Sequence, residues 1–98
     1  MAEIIKTKTF DKWLQGLRDR TAMARILVRL NRLAEGNAGD VKPVGGGISE
    51  LRVNYGPGYR IYYLQRGSLV VVLLCGGDKG TQTKDIKTAK ELAQKWKD

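Results

Sequence analysis

Histidine is absent from this chain, and cysteine occurs once, at Cys75. Without histidine the usual acid–base group of neutral pH is missing. One thiol with no imidazole also leaves a zinc centre without its usual set of thiolate and imidazole ligands, so no metal is expected. Cys75 sits inside an apolar run, which marks it as a buried reduced thiol rather than half of a disulfide or a nucleophile. The longest apolar run, Leu69–Cys75, is far short of the roughly 18 residues that cross a bilayer. Met1–Lys6 has none of the extended apolar character of a signal peptide, so the expectation is a soluble, cytoplasmic chain with no membrane partner. Acidic residues are also few. Ten Asp and Glu face 18 Lys and Arg, for a net charge of +8, which suits a polyanionic partner such as RNA, DNA or an acidic protein.

What is present fits one domain over residues 1–98, with 42% hydrophobic residues to build one core. Glu3–Lys6 can form a first strand. Phe10, Trp13, Leu14 and Leu17 follow the i, i+3, i+4, i+7 spacing of a helix with one buried face, capped by Thr7 or Thr9. A second helix restarts near Asp19 and Thr21, with Met23, Ile26, Leu27, Leu30, Leu33 and Ala34 on its apolar stripe and Gly36 placed to end it. Arg25, Arg29 and Arg32 share one face of that helix, either as an ordinary solvated face or as a contact for nucleic acid or an acidic partner. Asn37–Gly47, rich in glycine, reads as a flexible loop whose one basic residue is Lys42. Its spacing and setting are not those of a nucleotide-binding loop.

Three strands are expected next. Ile48–Asn54 alternates, with Leu51 and Val53 on one face and Glu50, Arg52 and Asn54 on the other. Tyr59–Gln65 follows a Gly-Pro-Gly turn, and Leu69–Cys75 is apolar enough for a central strand covered on both faces. Gly76–Gly80 is expected to break it before a last helix that buries Ile86, Ala89, Leu92, Ala93 and Trp96. Asp85 in that helix's first turn and Lys95 and Lys97 near its end complement the helix dipole. The order β-α-α-β-β-β-α predicts an α+β domain: a mostly antiparallel four-stranded sheet, an N-terminal helix hairpin and a C-terminal helix.

Alternation puts Arg60 on the face of Tyr62, and pairing through the Gly-Pro-Gly turn could bring Arg52 to that same face. Asp78, Lys79, Gln82 and Lys84 then arrive at a strand-to-helix junction. Arginines that grip phosphate bidentately, lysine point charges and tyrosine rings together make a surface for RNA. Candidate RNA contacts are Lys42, Tyr62, Lys84, Gln82, Arg25 and Arg29. Metal-free RNA cleavage needs a base for the 2′-hydroxyl, an acid for the leaving oxygen and stabilisation of phosphate charge. Glu50 is the candidate base, Lys79 or a tyrosine the candidate acid, and Arg60 and Arg52 the phosphate ligands. Each also has a structural alternative, Glu50 as an ion-pair partner and the tyrosines as core aromatics.

Several motifs run in order along nearly the whole chain: Phe10-x-x-Trp13-Leu14-x-x-Leu17-x-Asp19, Gly36-Asn37-x-Gly39-Asp40-x-Lys42-Pro43-Val44, Glu50-Leu51-Arg52, Gly56-Pro57-Gly58-Tyr59-Arg60-Ile61-Tyr62 and Leu73-Leu74-Cys75-Gly76-Gly77-Asp78-Lys79-x-x-Gln82-x-x-Asp85-Ile86. Through them the chain resembles toxins of type II toxin–antitoxin systems in the RelE/ParE superfamily, closest to the HigB-like, phage Gp49-like addiction-module killer proteins. The resemblance implies a RelE-like fold and a metal-independent, cofactor-free endoribonuclease that cuts mRNA on the ribosome. It also implies a cognate antitoxin of the helix-turn-helix type as partner. In that reading Arg60 matches the family's phosphate-stabilising arginine, while Arg52 and Lys79 match basic catalytic positions and Lys84 does so more weakly. The chain departs from ribonuclease members that carry a lysine at the Arg52 position and a near-terminal histidine or tyrosine, since neither residue type follows Tyr63. Two other functions stay open: a non-enzymatic ParE-like poison of DNA gyrase, and an inactive toxin-like binding module.

Overall fold

The computed structural model describes residues 1–96; Lys97, assigned above to the end of the last helix, lies outside the described residues. The elements are β1 (Glu3–Lys6), α1 (Lys8–Gln15), α2 (Arg20–Ala34), β2 (Val41–Gly45), β3 (Ile48–Val53), β4 (Tyr59–Arg66), β5 (Val70–Asp78), a 3₁₀ turn (Lys79–Thr81) and α3 (Gln82–Lys95). The strands lie in the order β1-β5-β4-β3-β2, with β1 parallel to β5 and the other pairs antiparallel. The expected α+β class, the mostly antiparallel sheet and the helix hairpin all stand. No helix among the described residues is long and apolar enough to cross a membrane.

The sheet has one strand more than expected, because Val41–Gly45 pairs with β3 instead of forming a loop. Pro43 argues against a strand by lacking an N–H, but β2 is the sheet's edge, where that donor is not needed. Val41 and Val44 are half-buried against the two cores, and Gly46 and Gly47 turn the chain into β3.

Local chemistry sets the helix ends. The Thr7 hydroxyl accepts from the Phe10 N–H at 3.0 Å and donates to the Leu74 carbonyl at 2.6 Å, so one side chain caps α1 and ties it to β5. Asp19 accepts from the Thr21 and Ala22 amides to start α2. At the other end the Gly36 amide bonds the Leu33 carbonyl and the Asn37 amide bonds the Arg32 carbonyl, the paired bonds of a Schellman stop.

Two apolar layers flank the sheet. Phe10 and Leu14 of α1 with Ile26, Leu30 and Leu33 of α2 pack on Leu51, Val53, Ile61, Tyr63, Val71 and Leu73. On the opposite face α3 lays the fully buried Ala89 over Ile48, Tyr62, Leu64, Val72 and Leu74. Each large aliphatic side chain so buried contributes roughly 1.5–3 kcal/mol.

The glycines that were expected to end β5 instead carry it through to Asp78. They point to opposite faces, and each leaves room for a neighbour. A Cβ on Gly76 would sit 2.3 Å from the Trp13 ring, and one on Gly77 would overlap the Asp85 carboxylate. Trp13 fills the first space, with its ring centroid 6.2 Å from that of Tyr59. We expect Gly76→Ala to lower stability by about 1–3 kcal/mol through overpacking. Urea denaturation followed by tryptophan fluorescence measures this, and an unchanged midpoint would contradict the account.

Candidate functional site

Glu50 sits on β3 opposite Tyr62 of β4, and Arg52 sits directly opposite Arg60, so all four share the sheet face that α3 partly covers. Two arginines in one cross-strand pair repel each other. Glu50 lies between them and is fully buried. Its Oε1 accepts from Arg52 Nε at 3.1 Å and lies 3.9 Å from Arg60 Nε. Its Oε2 accepts from the Tyr62 hydroxyl at 3.0 Å and from Gln82 Nε2 at 2.7 Å. One carboxylate thus joins β3, β4 and the first residue of α3.

Burial pushes the Glu50 carboxyl up, but hydrogen bonds from Gln82, Arg52 and Tyr62 outweigh it and hold the group below the usual carboxylate range. The Tyr62 hydroxyl is pushed up by burial and by its bond to the Glu50 charge. A carboxylate so held is a weak base, and a phenol so held is a weak acid. The expected roles of Glu50 as proton acceptor and of the Tyr62 ring as an RNA contact therefore meet a physical obstacle, since both side chains are fully buried and bonded to each other. Burial likewise pushes the Cys75 thiol up to about 12, in line with an inert core residue.

Beyond Glu50 the site opens toward the β3–β4 turn. Arg60 Nη1 donates to the carbonyls of Gly58 at 3.2 Å and Tyr59 at 3.3 Å, while its buried Nε has no hydrogen-bond partner among the described residues. Gly58 has φ +78, and a Cβ there would lie 3.4 Å from Arg60 Nη1 and 3.5 Å from Lys79 Cβ. The turn glycine therefore lets the backbone, the guanidinium and Lys79 converge on one cleft, which Asn54, Tyr55 and Pro57 also line. Asp78 accepts from the Gly80 amide at 2.8 Å, which fixes the 3₁₀ turn that carries Lys79. With Arg52 and Arg60 against Glu50, and Lys79 beside them, the local charge is positive, as a phosphate site requires.

The other predicted residues scatter. Gln82 is spent on Glu50. Lys84 is exposed in the first turn of α3, and Lys42 is exposed on β2, paired in register with Glu50. Arg25 lies on α2 with its guanidinium 4.8 Å from the Tyr55 ring centroid. Arg29 turns inward, donating to the carbonyls of Arg52, Ala38 and Asp40, so it holds the start of β2 and the end of β3 against α2. Asn54 and Gly58 join the site without being marked by residue type. The Gly-Pro-Gly turn is the available signal, because glycine there lets the backbone approach Arg60 and Lys79 closely.

The model of the family described as phage-derived protein Gp49-like (DUF891) matches residues 12–97. The chain belongs to the Gp49-like family. An uncharacterised protein of Haemophilus influenzae is 53% identical over 92 residues, covering 94% of this chain and 93% of that protein. The solution structure of a conserved hypothetical protein from Helicobacter pylori superposes with a TM-score of 0.55 at 21% identity, over 82% of this chain and 97% of that one, a likeness of fold. Gp49-like proteins form a RelE-like toxin family associated with toxin–antitoxin modules, which gives the chain a toxin-like role and implies an antitoxin partner.

The buried carboxylate gives a pH test. A folded-state pKa below the unfolded value means that Glu50 contributes stability above the usual carboxylate range and loses it as pH falls through the folded value. We expect stability to fall on acidification below about pH 4.5, the ordinary value. The acid limb should shrink in Glu50→Gln, as measured by thermal unfolding across pH. An identical acid limb in the variant would assign the loss to other carboxylates.

Proposed function

We propose that this Gp49-like chain is the toxin of a toxin–antitoxin module that inhibits translation by cutting mRNA on the ribosome, without a metal. The observation that carries the reading is the convergence of Arg60 and Lys79 on one cleft at the Gly-Pro-Gly turn, with Arg52 directly across the strands from Arg60 and Glu50 between the two arginines. Arg60 and Arg52 neutralise the scissile phosphate as charge builds on it, and Lys79 adds a point charge and serves as the proton donor to the leaving 5′-oxygen. Glu50 orients these groups. A base for the 2′-hydroxyl must then come from outside the chain, which supports a ribosome-dependent reaction over a free-standing nuclease.

The same lack of an available base favours a second reading, a toxin that binds and blocks its target without chemistry, as a gyrase poison does. Expression of the chain in bacteria separates the two. The nuclease reading expects growth arrest with codon-linked breaks in translated messages by primer extension, and restored growth with Arg60→Ala while the circular dichroism of the fold is unchanged. DNA damage with intact messages would favour the gyrase reading, and full toxicity of Arg60→Ala would remove Arg60 from the mechanism.

A further inference from the structure

Three clefts adjoin one another around the β3–β4 turn. The first lies between α2 and the end of β3, where Arg25, Arg29 and Arg32 stand beside Val28, Val53 and Asn54. The second is the turn cleft with Asn54, Gly58, Arg60 and Lys79. The third runs along the start of α3 with Lys79, Gln82, Lys84 and Lys87. Asn54 belongs to the first and second, and Lys79 to the second and third, so the clefts form one continuous path. No Asp or Glu lines any of them, although the chain has ten. A fourth cleft, near the N-terminus, does contain Glu35, so concave surface in this protein is not acid-free as such.

We propose that this path binds a single RNA strand along its backbone, extending phosphate contacts to both sides of the Arg60 cleft. The proposal rests on the reading of that cleft as an RNA phosphate site and adds a length of strand to it. Three observations favour RNA over an acidic peptide. The positive charge continues past α2, across the turn and on to α3, which fits a polymer with regularly repeated charge rather than a short acidic patch. Asn54 and the turn backbone supply polar groups at the crossing point, where phosphate and ribose can be bonded. The exposed Lys84 and Lys87 offer point charges on the α3 side of the path.

The path also predicts how little sequence is read. Arg25 stands over one face of the Tyr55 ring, and Tyr62 is buried, so little aromatic surface is left for bases to stack on. Arg29 is spent on three backbone carbonyls and shapes the wall rather than gripping the ligand. Contact is then mostly with phosphate, and binding along the path tolerates base changes.

The test is binding of 2′-O-methyl RNA, which cannot be cut through the 2′-oxygen, at two lengths: a trinucleotide that reaches only the turn cleft, and a strand of about 12 nucleotides. The long strand should bind at least about 10-fold more tightly, with little dependence on its sequence. Arg32→Glu with Lys87→Glu, both at exposed positions, should remove that gain and leave trinucleotide binding in place. The log–log salt slope should fall by about 1.4, the value for two fewer phosphates neutralised on a single strand. Arg60→Ala should weaken both lengths. If it leaves the trinucleotide unaffected while the length gain persists, the cleft assignment fails and the path stands. Equal affinity at both lengths, or a length gain that survives the double variant, overturns the path. A polyglutamate chain of matched charge that outcompetes the long RNA, and ceases to do so with Arg32→Glu, would make the α2 groove a protein-docking surface and overturn it as well.

Discussion

Two arginines face each other across neighbouring strands, and a single buried carboxylate makes that arrangement tenable. Removing a charge from water costs several kcal/mol, and the attraction of Glu50 to Arg52 and Arg60 offsets this only because its remaining lone pairs are also filled. Tyr62 fills one from within the sheet and Gln82 fills another from α3. The apolar layer under α3 and the polar cluster beside it are therefore one packing problem. α3 settles on Val72 and Leu74 in a position that also delivers Gln82 to Glu50.

This coupling separates holding from acting. Glu50, Tyr62 and Gln82 bond one another beside the sheet, while Arg60 and Lys79 reach the open turn cleft. Arg60 spans both zones, with Nε toward Glu50 and Nη1 on the turn carbonyls. A phosphate arriving at the rim would meet a guanidinium already oriented, so little ordering remains to be done on binding.

The helix hairpin, the alternation of β3 and the placement of Arg52 with Arg60 were legible because each depends on local periodicity. Strand β2 was not, since Pro43 and three following glycines read as loop and only the edge position in the sheet makes them acceptable. The continuation of β5 through Gly76 and Gly77 was hidden for a related reason: the glycines answer to Trp13 and Asp85, which are distant in sequence. The candidate site was half visible. Its basic residues stood out by type, but the bonds that occupy Glu50 depend on Gln82, 32 positions later, and on strand register. Arg29 looked like part of a solvent-facing stripe and instead binds carbonyls from two other segments, which helical spacing alone cannot reveal.

The adjoining glycines of β5 have a consequence for how this sheet can change. Because neighbouring residues in a strand face opposite ways, one dipeptide sets the clearance for helices on both faces at once. A slip of β5 by one position would bring Cys75 or Asp78 beneath a helix where only a hydrogen fits. The dipeptide thus acts as an alignment key: it fixes β5 against β4, and through that pairing it fixes where the chain emerges to present Lys79.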